Sequence, residues 1–139
     1  MSPDAPPPVL LAILICDTVI DDKVTSKKSL IGIFNQVSAH EFPVRVQTLH
    51  LFVSLTDGRG EVQGQVRVVR SDTDEALADM GGPIEFPHPR AVVEIDFGLH
   101  NLLFPEPGEY GFQFLCNGEL LAERKFNVVK VNAPPAEPE

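Results

Sequence analysis

Glu109-Tyr110-Gly111-Phe112-Gln113-Phe114-Leu115-Cys116-Asn117-Gly118-Glu119-Leu120 is the stretch that decides the fold. Tyr110, Phe112, Phe114 and Cys116 alternate with Gly111, Gln113 and Leu115. Side chains of a strand point to opposite faces at period two, so this pattern predicts a strand with one buried face. Asn117-Gly118 follows at once, and that pair tolerates the positive φ of a type I′ hairpin turn. The run Leu120–Val131 then returns as the partner strand.

The same alternation recurs upstream. Leu49, Leu51, Val53 and Leu55 share one face within Thr48–Thr56, opposite His50, Phe52 and Ser54. Val62, Gly64, Val66 and Val68 alternate with Glu61, Gln63, Gln65 and Arg67, and Val93, Ile95, Phe97 and Leu99 with Glu94, Asp96 and Gly98. One buried and one wetter face per strand is the mark of antiparallel sheets. Asp57-Gly58-Arg59-Gly60 and Ser71-Asp72-Thr73-Asp74 supply turns, the second leading into a short strand near Glu75–Met80. Helical periodicity is almost absent.

Pro107-Gly108-Glu109-Tyr110 sets a tight turn before a tyrosine that opens a strand. It resembles the corner of immunoglobulin-like sandwiches, in which the hydroxyl bonds back to nearby backbone. The expected fold is therefore an all-β, antiparallel, immunoglobulin-like β-sandwich of about seven to nine strands. With no tryptophan and no central cysteine pair, an antibody-type domain is not expected.

Leu30–Val37 is apolar enough for a buried strand, with Gly32 marking a bulge or close backbone contact. Asp17–Lys28 is polar and unpatterned, read as a hairpin connection or a short helix, and Glu41-Phe42-Pro43 breaks the chain. The segments Cys16-Asp17-Thr18-Val19-Ile20-Asp21, Lys27-Lys28-Ser29-Leu30-Ile31-Gly32-Ile33-Phe34 and Phe42-Pro43 together resemble a widespread bacterial family of small uncharacterised proteins. That resemblance implies an all-β sandwich and no assigned activity.

With 139 residues the chain is one domain's worth of polypeptide. Seven of its 13 prolines fall in the first or last eight residues. Residues 1–8 and 132–139 therefore read as flexible proline-rich tails around one domain at 9–131. The formal net charge is −9 and the basic cluster Lys23, Lys27 and Lys28 is diluted by Asp17, Asp21 and Asp22, so neither a nucleic acid nor an anionic membrane surface is an expected partner. Val9–Cys16 is apolar, but no lysine or arginine precedes it and Ile15 is not a small residue before a cysteine. Eight residues cannot cross a bilayer, so the run is a buried strand and the expected location is cytoplasmic.

Chemistry-bearing motifs are scarce. Gly-x-Ser-x-Gly and Ser-x-x-Lys are absent, and Cys16 and Cys116 stand a hundred positions apart without ligand spacing. Both cysteines read as small buried hydrophobes. Asp17, Asp21 and Asp22 lack the spacing of a calcium loop. No cofactor, no metal and no catalytic activity are expected.

Three readings remain. The leading one is a non-catalytic interaction or structural module that binds protein, its own copy above all, through a sheet face or open edge. Phe52, Val92 and Leu115 oppose the polar sides of their strands and are its candidate residues. The second is a small-molecule site on loops at one end, with His88, Arg90 and His100 in the segments Gly81–Arg90 and His100–Glu109. The third, a metal enzyme, requires His88, His100 and Asp96 to converge.

Overall fold

The computed structural model describes residues 6–132. The nine strands are β1 (Val9–Asp21), β2 (Lys28–Ile33), β3 (Gln36–Ala39), β4 (Val44–Thr56), β5 (Gly60–Arg70), β6 (Ala76–Phe86), β7 (Val93–Phe104), β8 (Gly108–Cys116) and β9 (Glu119–Lys130). They form a four-stranded sheet in the order β2-β1-β4-β7 and a five-stranded sheet in the order β3-β9-β8-β5-β6. The all-β sandwich expected from the alternation is what the chain forms. Most of the residues read as terminal tails lie outside the described ones; Pro6 and Pro7 are exposed, and Pro8 is already buried.

Between the sheets lies the core. Leu49, Leu51, Val53 and Leu55 of β4 meet Val66 and Val68 of β5 and Phe112, Phe114 and Phe126 of β8 and β9. Phe126 is the hub of the aromatic contacts: its ring centroid is 5.5 Å from Phe104, 5.3 Å from Phe112 and 5.7 Å from Phe34. Each such ring removes a large apolar area from water and adds a geometric preference of about 1 kcal/mol per pair.

Several elements differ from the sequence-based expectation. Leu30–Val37 is two strands, because the chain leaves one sheet after Ile33 and enters the other at Gln36. Phe34 N–H still donates to Ile15 O (3.0 Å), while Asn35 O accepts from Asn127 N–H (3.0 Å), so two adjacent residues tie the layers together. Having changed sheets, β3 runs parallel to β9, the one departure from antiparallel pairing among the strand pairs described. Asp17–Asp21 is not loop or helix but the continuation of β1, whose β-branched Thr18, Val19 and Ile20 suit a pleated surface. The turn is confined to residues 22–27, where Asp22 Oδ1 accepts from the amides of Val24 (2.8 Å) and Thr25 (3.2 Å).

β6 is longer than expected, and Gly81-Gly82-Pro83 lies inside it rather than in a loop. As the last strand of its sheet β6 can hold a proline, whose missing donor costs nothing on an open edge. Gly81 is required there, since a Cβ would sit 2.5 Å from the carbonyl oxygen of Gly64 on β5.

Candidate functional site

Tyr110 opens β8 fully buried, and its hydroxyl donates to Glu106 O at 2.6 Å, the corner bond expected from Pro-Gly-Glu-Tyr. Arg70 braces the same corner, with Nε on Asp72 and Nη1 on Glu106, both at 2.8 Å. These contacts tie the β5–β6 turn to the β7–β8 turn at one end of the sandwich.

The outward face of the four-stranded sheet differs from an ordinary wetted surface. Register places Cys16 opposite His50 and Ile33, Leu14 opposite Phe52, and Phe52 opposite Asp96. Cys16 (0% exposed) and Phe52 (6%) are buried, yet neither belongs to the core between the sheets. They lie on the other side of β1 and β4, with Ala12 and Leu14 as half-buried neighbours. Toward the edge strand β2 the apolar surface continues into solvent through Ile31 (48% exposed) and Ile33 (56%), and through Ile20 of β1. An apolar band therefore crosses three strands of this face, broken by Thr18 and Ser29 and bordered by His50 and Ser54.

Polar groups border it on β7. His50 Nδ1 lies 2.6 Å from Asp96 Oδ1, and His100 Nδ1 lies 3.4 Å from Thr48 Oγ1. Both imidazoles lean over Gly98: a Cβ there would be 3.5 Å from His50 Cε1 and from His100 Nε2. Cys16 Sγ donates to Thr18 O at 3.4 Å. Burial pushes the Cys16 thiol up, with the nearby charges of Asp96 and Asp17 acting the same way, so it is the opposite of an activated nucleophile. Burial likewise raises Cys116, and both thiols are free.

The residues singled out from sequence do not form the groups imagined for them. Phe52 is on β4 of the four-stranded sheet, Leu115 is half-buried on β8 of the five-stranded sheet, and Val92 is exposed just before β7. Phe52 and Leu115 face away from each other across the thickness of the sandwich, so the three make no single patch. Alternation within a strand says which residues share its face but not which sheet the strand joins.

His88 and Arg90 are exposed in the loop between β6 and β7. His100 lies seven residues beyond Val93 on β7, roughly 23 Å along the strand, so the three do not converge. Asp96 shares a face with His100 but takes His50 as its partner. His100 lines a shallow groove of about 350 Å³ with Glu75, Leu77, Asn101, Leu103 and Pro105. Among the described residues no group of three or more His, Cys, Asp or Glu is arranged to hold a metal ion, and no helix is long and apolar enough to cross a membrane.

Sequence reasoning missed Ile31, Ile33 and the outward placement of Cys16. The signal for Cys16 was present in Val9–Cys16, which is apolar at every position and so puts apolar residues on both faces of β1; the run is buried only at Ile15 and Cys16, while Val9 and Leu11 are exposed.

Fold and site together define an all-β sandwich with an apolar band on one outer sheet face. The chain belongs to the Family of unknown function (DUF6941), whose model matches residues 11–129. No curated protein matches it. Among solved structures it is similar to a Pseudomonas fluorescens alkylpurine DNA glycosylase, AlkC, bound to DNA containing an abasic site analog, with a TM-score of 0.44 and 16% identity. The match covers 68% of this chain and 27% of that one, so the chain spans about a quarter of that structure's length. A likeness at this level contributes nothing to the reading of function.

Proposed function

We propose that the protein is a non-catalytic interaction module of the cytoplasm that binds another protein through the outward face of its four-stranded sheet. The observation that carries this reading is the exposed apolar surface of Ile20, Ile31 and Ile33 on β1 and β2, which continues into half-buried Leu14 and buried Cys16 and Phe52. Contiguous apolar surface rimmed by polar groups is what a protein contact presents before it is covered. β2 also ends its sheet, and beyond Lys28 at its start the strand carries no charge or proline of the kind that usually blunts an edge.

A photo-crosslinking amino acid in place of Ile31 tests it in cells that carry the protein naturally. A covalent adduct with a protein is expected, and the same label in place of exposed Leu120 on β9 should give none. Absence of any adduct from Ile31, repeated from Ile33, would overturn the reading.

A further inference from the structure

We infer that the partner seated on this face is a second copy of the chain, packed face to face about a two-fold axis; the inference rests on the reading that the face binds protein.

Charge distribution around the apolar band carries it. In register, outward side chains of the four strands form rows: Leu14, Phe52 and Asp96 in one, Ile33, Cys16, His50 and Gly98 in the next, Ile31 and Thr18 beyond. The band thus runs diagonally, from Ile20 and Ile31 near the β1–β2 turn to Leu14 and Phe52 beside β7. The turn at one end holds Lys23, Lys27 and Lys28 with Asp21 and Asp22, an excess of one positive charge in a chain of net −9. Asp22 faces its own turn, accepting the Val24 and Thr25 amides, while Lys23 and Lys28 stand 3.7 and 4.0 Å from Asp21. At the other end Glu94 and Asp96 are exposed on β7, and His50 holds the Asp96 carboxylate over the sheet.

A surface with cations at one end, anions at the other and an apolar strip between them is complementary to itself. A two-fold axis lying in the plane of contact and crossing the band at its middle lays the band on its own copy. The same rotation brings the lysine end of each copy onto Glu94 and Asp96 of the other, the isologous geometry that closes a dimer. Opposed charges at the rim fix orientation, and the apolar strip supplies the contact.

Two complementary charge variants test it by concentration-dependent mass in solution. Glu94→Lys places lysines against lysines in its own dimer, and the double variant Lys23→Glu, Lys27→Glu places acids against acids. Each alone should dimerise more weakly by about tenfold or more, since like charges oppose at both ends of the contact. Mixed one to one, they should recover much of the lost association, because the lysine introduced at position 94 then faces the two introduced glutamates and the other end keeps its wild-type pairing. All three substituted positions are exposed, and an unchanged thermal unfolding midpoint shows that folding is intact.

The crosslink from Ile31 should have twice the 15.2 kDa mass of one chain. A wild type that stays monomeric while Ile31 crosslinks to a protein of another mass overturns the second copy and leaves the protein-binding reading standing. No crosslink at all overturns both. A dimer whose strength is unmoved by Glu94→Lys, by the lysine variant and by Ile33→Glu overturns this face as the contact between copies.

Discussion

Tyr110 shows how much one side chain can specify. Its ring meets Phe104 edge-on at 4.9 Å, and its hydroxyl bonds to Glu106 O four residues back. Tyr110→Phe keeps the packing and removes the bond, leaving a carbonyl short of a donor; a loss of about 1–2 kcal/mol is expected. It should appear as a lower denaturant midpoint at unchanged slope. Cys16 and Cys116 have raised pKa values through burial, so neither thiol should react with an alkylating reagent at neutral pH until the protein is unfolded. Asp22, fully exposed, is held below the ordinary carboxylate range by the Val24 amide and then the Thr25 amide. Its contribution to the turn is complete above the unfolded value of about 3.9 and is lost as pH falls through the lower folded one. A carboxyl titration followed by NMR should show that depressed midpoint. The corner tyrosine was legible in sequence because its signal is local, four residues long. The His50–Asp96 bond was not, because it joins positions 46 apart through a register that only the assembled sheet defines.

Among the elements, the hairpin β8–β9 was legible in full. Asn117 and Gly118 have φ of 50° and 82°, and Asn117 Oδ1 also accepts from Gln63 N–H at 2.8 Å, tying the turn to β5. Gly118→Val, a β-branched residue in the left-handed region, should cost about 1–3 kcal/mol, read from the thermal or denaturant midpoint. Elements that misled did so for definite reasons. Gly81-Gly82-Pro83 has the composition of a loop, and only the edge position of β6 makes it a strand. Leu30–Val37 has the composition of one strand, and only the passage between sheets at Phe34-Asn35 divides it.

For the molecule as a whole, alternation was enough to predict two packed sheets, because each strand declares a face that must be covered. Which outer face would be unusual was not legible. It depends on β1, β2 and β4 lying side by side, and a one-dimensional pattern does not contain that neighbourhood. Phe52 was therefore picked out correctly as an outward apolar residue and grouped with the wrong companions.

The parallel pairing of β3 with β9 gives the domain a direction under load. Tension applied between Gln36 and Lys130 pulls β3 and β9 from opposite ends of a parallel pair. The bonds from Asn127 N–H to Asn35 O through Val131 N–H to Ala39 O then bear the force together, in shear, instead of opening one after another. Stretched between those two positions, the sandwich should resist up to a threshold and then yield abruptly. Pulled across the β1–β2 hairpin, by contrast, it should unzip bond by bond at low force.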